Sequence, residues 1–475
     1  MTATASDEAR AVALCGEGAA LFDAGDHTGA ISRYRRATEL APSMLALHLV
    51  LANAQRIAND TLGARASLQV ALDVAARPTI ADEFELGRAL VDAGAGAHAV
   101  GPFRRVSDAR PRDAGAAAAL AAALRDAQQT EAAWTEITRA LTLSPNDPVA
   151  LHTAALIRHD LADYAAALVL CEQSLRLRPD SNGTRMTRGY LRQLLGDARG
   201  GWRDFESRPL PHPGTGAREW KGESLAGKSI LLLGEQGVGD QFQCLRFAQH
   251  PAIRAAGRVV IGCQPDAVTL LQAAGFETVS RHAPVVTDYF VPLLSLPDRL
   301  DIGAHWQSET SPYLALPDLH PRTRGAGFHR VGVVWSGNPA HRNDVVRSIP
   351  VSLVATLPDA HPDLSFVCLQ HETTAHDALS RRWEHSQSGD WLATARQLCT
   401  LDVLITVDTG IAHLAGALGV PVWILLPHVP DWRWGVSGSS SAWYASARLI
   451  RQQSRGDWAE VLVRVNQALR EAAAA

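Results

Sequence analysis

The chain has 475 residues, 47% of them hydrophobic and 20% charged, a composition typical of an ordinary globular protein. The formal net charge is −4 and no basic block is present to neutralise phosphates, so nucleic acid is not an expected partner. No apolar run reaches the roughly 18 residues of a membrane span, and the N-terminus lacks the pattern of a secretory signal. The cysteines are scattered without a C-x-x-C pair, which favours a cytoplasmic location with free thiols.

Residues 11 to about 207 contain a repeat. Pro111, Pro145 and Pro179 are spaced by 34 residues. Small residues recur at one matching position: Gly18, Ala52, Gly87, Ala121, Ala155 and Gly189. Larger residues recur at a second position, where they are expected to fill the space between units: Tyr34, Leu68, Phe103, Ile137, Cys171 and Phe205. The pattern predicts units of two short helices, closely packed at the small residues and ended by proline. Because one pair cannot bury its apolar face alone, we expect an α-solenoid.

This pattern resembles the tetratricopeptide repeat family, since several positions agree in each unit. The resemblance covers nearly all of residues 1–207 in about five to six units. It implies a concave groove suited to an extended protein or peptide. The alternative, that the repeats only support the rest of the chain or form a homo-oligomer, stays open.

The rest of the chain alternates predicted strands and helices. Residues 208–227 are rich in Pro and Gly and are predicted to be a linker. The strand candidates after it are KSILLLG, RVVIGCQ, RVGVVWSG, LSFVCLQ, DVLITVD and VPVWILL. Strands separated by helices predict parallel sheets with right-handed crossovers. We therefore expect two Rossmann-like lobes, residues 228–320 and 321–475, with a ligand at the carboxyl ends of the strands.

GEQGVGD, residues 234–240, lies between a predicted strand and a predicted helix. Gly237 and Gly239 allow a tight turn and close approach of a ligand to the backbone at a helix N-terminus. Asp240 has two interpretations. It either caps the helix by accepting backbone N–H groups, which makes it a poor base, or points into the cleft as a general base toward an acceptor hydroxyl. The residues alone favour the cap.

VDTGIAHLAGALG, residues 407–419, is a second segment of this kind. Asp408 ends a strand, and the N–H groups of Thr409, Gly410 and Ile411 are predicted to bind a diphosphate without a metal. The alternative is a capped helix with no ligand. His413 either reaches a phosphate or bonds a carbonyl.

Three other segments carry candidate residues. An arginine in the polar loop after Trp335 is suited to hold a diphosphate, unless this loop is only a solvated surface. Trp432 either stacks on a base or sugar or packs a domain interface. Gln370 follows another strand and is placed to touch ribose or base. In HETTAH the two histidines are five residues apart, which does not fit a helical zinc motif, so no metal is expected.

Four segments now carry a resemblance: GEQGVGDQFQCLRFA, WSGNPAHRND with RSIP, LDVLITVDTGIAHLAGALGVPVW, and LLPHVPDWRWG. They look like glycosyltransferases that couple tetratricopeptide repeats to a two-lobed catalytic region. They are similar to the heptosyltransferase family (glycosyltransferase family 9) and, more remotely, to protein O-GlcNAc transferases. The resemblance implies a GT-B fold and an inverting, metal-independent transfer from a nucleotide sugar, with no cofactor.

The resemblance also implies roles for residues. Asp240 stands at the position of the base and Arg342 where a basic residue assists the leaving group, with Gly237, Gly239 and Gln243 in an acceptor-side loop. The residues implied at the nucleotide sugar are Trp335, Ser336, Asn338, Arg347, Gln370, Asp408, Thr409, Gly410, His413 and Trp432. The expected acceptor is a protein presented by the repeats, such as a surface or flagellar protein before export. Lipopolysaccharide or another glycan as acceptor, and a non-catalytic adaptor with a decayed transferase domain, are the alternatives.

Overall fold

The computed structural model of the chain describes residues 5–58, 60–74, 79–302, 312–322, 328–339, 343–370, 379, 381–386 and 389–474. The chain divides into two compact units, Met1–Thr184 and Arg185–Ala475. Within the described ranges, no helix has both the length and the apolar character needed to cross a membrane.

The first part of the chain consists of helix pairs. The helices are α1 (Ala5–Asp23), α2 (His27–Leu40), α3 (Leu45–Ile57), α4 (Thr61–Val74), α5 (Ile80–Asp92), α6 (Val100–Ala109), α7 (Ala114–Asp126), α8 (Thr130–Leu143), α9 (Pro148–Asp160), α10 (Tyr164–Leu177), α11 (Asn182–Leu194) and α12 (Ala198–Phe205). The first five pairs form the first unit, a tetratricopeptide-like α-solenoid, as the 34-residue period predicts.

The repeated residues explain the pairing. Pro111, Pro145 and Pro179 each lie two residues after the last residue of a helix, where proline cannot continue the helix. A Cβ on Gly18 would lie 2.7 Å from Cε1 of Tyr34, so the ring occupies the space that the glycine leaves open. Tyr34 also packs with residues of α3, as expected for a side chain that fills the space between units.

The second unit contains two parallel sheets. The strands are β1 (Arg218–Glu219), β2 (Ser229–Leu233), β3 (Arg258–Cys263), β4 (Thr278–Ser280), β5 (Tyr289–Pro292), β6 (Arg330–Val334), β7 (Ser365–Cys368), β8 (Trp383–His385), β9 (Val403–Val407), β10 (Val422–Leu426) and β11 (Ala447–Arg451). The first sheet has the order β1-β5-β2-β3-β4 and the second β11-β10-β9-β6-β7-β8, with parallel pairing between these strands. The expectation of two parallel α/β regions is confirmed.

Helices lie between the strands, and a longer helix follows the last strand. They are α13 (Val238–Cys244), α14 (Pro251–Arg254), α15 (Val268–Ala273), α16 (Leu296–Arg299), α17 (Asp344–Arg347), α18 (Val351–Val354), α19 (Leu357–Ala360), α20 (Trp391–Leu398), α21 (Gly410–Leu418) and α22 (Trp458–Ala474). Every residue of β9 and β10 is buried, as expected for central parallel strands covered on both faces.

Both sheets have a point at which the strand order reverses. From its own first strand, the second sheet runs 3-2-1-4-5-6, the doubly wound order, and the reversal lies between β6 and β9. The first sheet reverses between β2 and β5. Ligands of open parallel sheets bind at the carboxyl ends of the strands at such switch points, so the fold has two candidate positions for a site.

Two predicted boundaries differ from the structure. The linker 208–227 contains β1, which pairs with β5, and Trp220, whose buried indole donates to the carbonyl of Glu223 at 2.8 Å. The second unit begins before residue 207, because α12 packs with the α/β region through Trp202. The repeat pattern therefore includes one helix pair, α11 and α12, that lies almost entirely in the second compact unit.

Candidate functional site

A cleft of about 570 Å³ lies at the carboxyl ends of β6, β7 and β9, at the switch point of the second sheet. Residues 336–339 follow β6, Leu369 and Gln370 follow β7, and residues 409–411 follow β9. Asp266 is the residue of the first lobe among the described lining. The volume falls within the range of small-molecule sites. The structure thus brings together five predicted site residues: Ser336, Asn338, Gln370, Thr409 and Gly410.

The N-terminus of α21 faces this cleft. Thr409 is its N-cap residue in an extended conformation, and no side-chain hydrogen bond from the described residues caps the helix. A Cβ on Gly410 would lie 3.1 Å from Val238 and 3.3 Å from Trp391, so a larger residue would crowd both. The first turn of a helix has N–H groups without intrahelical partners and a partial positive charge. This end of the cleft is therefore suited to an anionic group.

Gln370 holds the loop after β6. Its Oε1 accepts hydrogen bonds from the backbone N–H groups of Trp335 and Ser336 at 3.2 and 3.0 Å, and its Nε2 donates to the Ser336 carbonyl at 3.2 Å. The indole of Trp335 is buried beside Trp383 in the core of the second sheet. Gln370 and Trp335, both predicted at the nucleotide sugar, are placed to shape the loop.

Arg347 lies behind the same loop. Its Nε donates to Asp344 at 3.1 Å, and its Nη1 donates to the Asp408 carbonyl at 3.0 Å. A Cβ on Gly337 would collide with its guanidinium. Arg347 therefore joins the ends of β6 and β9 instead of reaching freely into the cleft. Arg342, predicted at the leaving group, lies outside the described residues, so that role stays a prediction.

Asp240 forms an ion pair with Arg433 through its Oδ1, and its Oδ2 accepts the backbone N–H of Gly237 at 2.9 Å. Arg433 also donates to Asp431 and to Oε1 of Gln243, both at 2.7 Å. These bonds support the interpretation of Asp240 as a capping carboxylate at the start of α13. Both carboxylate oxygens of Asp240 are therefore engaged, and its role as base stays a prediction.

The charges around Arg433 influence one another. Burial lowers the pKa of Arg433, but the carboxylates of Asp431, Asp240 and Asp408 outweigh it and raise the pKa above its ordinary value. Burial, assisted by the charge of Asp431 and opposed by Arg433, raises the pKa of Asp408 to about 6. The burial of the Asp408 carboxyl thus favours its protonated form.

His413 is buried within α21. Its Nδ1 lies 2.8 Å from the hydroxyl of Tyr444, its Nε2 lies 4.0 Å from Asp408, and its ring stacks on Trp434 at 5.4 Å. Burial, together with the charges of Arg433 and Arg246, lowers the pKa of His413 well below its ordinary value. The ring is therefore neutral at pH 7. Its hydrogen-bond partner is a hydroxyl, which neither of the two sequence interpretations included.

Two further predicted residues serve packing. A Cβ on Gly239 would lie 2.8 Å from Cδ2 of His413 and 3.1 Å from Cα of Gly410, so this glycine lets α13 approach α21. The ring of Trp432 meets those of Trp202 and Trp443 edge-on at 5.2 and 6.0 Å. Trp432 thus has the position that the interface interpretation describes.

The cleft also contains residues that the sequence did not single out. Asp390 caps α20 by accepting the N–H of Ala393 at 2.7 Å, and Thr394 lies one turn along that helix. Trp391 donates its indole N–H to Asp266 at 3.0 Å, which joins the two lobes beside the cleft. The signal in the sequence is Asp390 directly before a helical run, which is typical of an N-cap. The described residues contain no cluster suited to a metal ion.

No protein-family model matches the chain. The chain is similar to protein FlbA of Caulobacter vibrioides, with 24% identity over 393 residues, which cover 70% of this chain and 63% of FlbA. The chain thus matches less than two thirds of the length of that relative.

Among solved structures, the chain is similar to YrrB, described as a TPR protein with an unusual peptide-binding site, with 17% identity and a TM-score of 0.30 over 37% of this chain and 89% of YrrB. A tetratricopeptide repeat protein from Parabacteroides merdae has 16% identity and a TM-score of 0.35 over 43% and 82%. TTC0263 of Thermus thermophilus, also a TPR protein, has 17% identity and a TM-score of 0.28 over 38% and 98%.

Proposed function

We propose that the second unit is an inverting, metal-independent glycosyltransferase of the GT-B type, which transfers a sugar from a nucleotide sugar to a hydroxyl group of a protein. The observation that carries the proposal is the cleft at the switch point of the second sheet, into which the N-terminus of α21 opens. Switch points of parallel sheets bind nucleotides, and helix N-termini bind phosphate groups without a metal.

The chemistry is a single displacement. The acceptor hydroxyl attacks the anomeric carbon, and the bond from that carbon to the diphosphate oxygen breaks, so the nucleoside diphosphate leaves with the bonding electrons. The N–H groups of residues 409–411 stabilise the negative charge that develops on the leaving oxygen. The resemblance implies that Arg342 assists this step. The hydroxyl proton passes to a base, for which Asp240 is the carboxylate that the resemblance implies.

In this proposal the first unit binds the acceptor protein and presents it to the second unit. A tetratricopeptide-like solenoid presents an extended surface to a polypeptide, whereas a small acceptor needs no such surface. The described cysteines are free, consistent with a cytoplasmic enzyme that uses the nucleotide sugars of that compartment.

The test is a nucleotide-binding experiment with a pair of variants that match in shape and differ in charge. The purified protein is heated with ADP, UDP, GDP, CMP and CDP, each with and without EDTA. A ligand at 100 times its dissociation constant adds about 2.7 kcal/mol to the stability of the state that it binds. We expect one nucleotide to raise the melting temperature regardless of EDTA. The matching nucleotide sugar then serves as donor in a transfer assay.

Thr409 offers the matched control. Thr409→Glu places a negative charge at the helix N-terminus, which the helix tolerates but which repels a diphosphate. Thr409→Gln has nearly the same shape and no charge. We expect at least a tenfold loss of affinity in the Glu variant and less than a threefold change in the Gln variant. No stabilisation of the unaltered protein by any nucleotide, or equal affinities of the two variants, would contradict the proposal.

A further inference from the structure

Helix α12 contacts the second lobe of the α/β region through one aromatic side chain. Trp202 is 1% exposed. Its ring meets Trp432 edge-on at 5.2 Å and Trp443 edge-on at 6.4 Å. A tryptophan buried among other aromatic rings fixes both the distance and the angle of the elements that it joins. The segment that contains Trp432 is therefore held against α12.

The residues just after α12 contact the first lobe. Arg208, with a side chain 1% exposed, donates from Nε and Nη2 to the two carboxylate oxygens of Glu235 at 2.9 and 2.6 Å. Its Nη2 also donates to the hydroxyl of Ser295 at 2.9 Å. Glu235 in turn accepts the N–H of Leu294 at 3.2 Å. Glu235 follows β2 and Leu294 follows β5, so Arg208 occupies the switch point of the first sheet.

These two contacts meet at one place. Glu235 belongs to the loop that leads into α13, whose Asp240 pairs with Arg433. Arg433 is the residue after Trp432, which packs on Trp202 of α12. The contacts thus form a closed circuit: α12 and the residues just after it contact both lobes, and the two lobes contact each other through Asp240 and Arg433. The ion pair of Asp240 and Arg433, with side chains 17% and 11% exposed, closes this set of contacts between the two lobes.

The circuit reaches the cleft through α13. Gly239, next to Asp240, packs against Gly410 at the N-terminus of α21, where an added Cβ would lie 3.1 Å from Cα of Gly410. A change in the position of α13 therefore moves the N–H groups that line the cleft.

We propose that α12 and Arg208 form a bracket that sets residues 234–237 of the first lobe against residues 431–434 of the second. Trp202 and Arg208 are then positioning residues for the cleft, although neither lines it. The repeat pattern includes α12 in the solenoid, but in this proposal the helix positions the two lobes of the α/β region. The effect on nucleotide affinity rests on the proposed function, whereas the bracket itself does not.

The test compares two buried tryptophans of the full-length protein. Trp202→Ala removes the bracket contact, and Trp220→Ala is the matched control, because Trp220 is 2% exposed and bonds Glu223 within the first lobe. Hydrogen exchange of residues 234–241 and 431–434 is measured without ligand. We expect at least tenfold faster exchange in both segments for Trp202→Ala and less than threefold for Trp220→Ala. Trp202→Phe, which keeps an aromatic ring, is expected to restore most of the protection.

A second readout is the dissociation constant for the nucleoside diphosphate that stabilises the unaltered protein. We expect it to rise at least tenfold in Trp202→Ala and to stay within threefold in Trp220→Ala. Equal exchange in the two variants would overturn the bracket. If the unaltered protein binds no nucleotide, the proposed function fails, and the exchange data alone decide the bracket.

Arg208→Lys is the second variant if Trp202→Ala does not fold. Lysine keeps the positive charge but cannot form the two parallel bonds to Glu235. We expect faster exchange in residues 234–241, with a smaller increase in residues 431–434. Exchange equal to that of the unaltered protein in both segments would contradict a positioning role for Arg208.

Discussion

The two lobes of the second unit share a motif at their switch points but differ in what occupies that position. Each has a buried strand, a glycine-containing turn and a helix at its switch point: β2 with α13 in the first lobe, and β9 with α21 in the second. In the first lobe the switch point is occupied by Arg208 and Glu235. In the second lobe the equivalent position opens into a cleft of about 570 Å³.

The difference teaches that a strand–turn–helix motif does not by itself identify a ligand site. The arginine that occupies the first lobe comes from another segment of the chain, after α12. It pairs with a glutamate two residues after β2. The second lobe has Asp408 after β9, but its carbonyl accepts the hydrogen bond from Arg347 and the guanidinium stays behind the loop. A basic side chain therefore fills the crevice of the first lobe, whereas in the second lobe it lies behind the loop and leaves the cleft open.

The largest expected effect comes from removing the occupant of the first lobe. Arg208→Met leaves Glu235 buried without its partner, so we expect the free energy of unfolding to fall by about 3–5 kcal/mol. The double variant Arg208→Met, Glu235→Leu is expected to lose less than the single variant, because no unpaired charge stays buried. Urea denaturation measures both.

The exposed pair Arg258–Glu277 is the control, with side chains 48% and 49% exposed. Arg258→Met is expected to change the free energy of unfolding by less than about 1 kcal/mol. If Arg208→Met costs no more than Arg258→Met, the first switch point is not filled by a stabilising pair and the contrast between the lobes is lost.

Much of the fold could be predicted from the sequence, because the spacing of its apolar residues and prolines indicates which segments are helix pairs and which are buried strands. The spacing of Pro111, Pro145 and Pro179 gives the helix pairs, and the apolar runs separated by helices give two parallel sheets. The place of the cleft also follows from sequence order, since the strands on either side of a reversal meet there. Thr409 and Gly410 line that cleft because the helix that starts directly after β9 opens at this edge of the sheet.

The partners of the site residues could not be predicted, because they come from distant segments without a motif. Arg433 bonds Asp240 across 193 positions, and Tyr444 bonds His413 across 31. Arg208 lies in what composition marks as a linker, where an arginine is normally a solvated side chain. The resemblance places Trp335 at the nucleotide sugar, but strand alternation directs its ring into the core.

A change at Asp408 is expected to have an intermediate effect that depends on pH. Burial raises its pKa from 3.8 to about 6, so between these values the folded protein holds a proton that the unfolded chain releases. The stability that this proton provides is full below about pH 4 and is lost as the pH rises through 6. Asp408→Asn does not titrate, so its stability relative to the unaltered protein should rise by up to about 3 kcal/mol between pH 4 and pH 7.

Asp288 provides a control of opposite sign. Hydrogen bonds from the backbone N–H and hydroxyl of Ser229 lower the pKa of Asp288, so its contribution is present at neutral pH and is lost as the pH falls. Asp288→Asn should therefore lose stability, relative to the unaltered protein, as the pH rises. Urea denaturation at several pH values measures both variants. Parallel profiles for the two would show that the buried end of β9 does not favour the protonated carboxyl.

The smallest expected effect concerns Gly239 in the first lobe, and it tests whether this glycine serves helix packing or a ligand. In Gly239→Ala the new Cβ would lie 2.8 Å from Cδ2 of His413, so α13 and α21 must shift apart. We expect a loss of about 1–2 kcal/mol in the free energy of unfolding, because overpacking outweighs the better helix propensity of alanine. Gly216→Ala is the control, since a Cβ there meets nothing within 4 Å. If Gly239→Ala is as stable as Gly216→Ala but loses nucleotide affinity, Gly239 serves a ligand, and the first lobe is a binding lobe like the second.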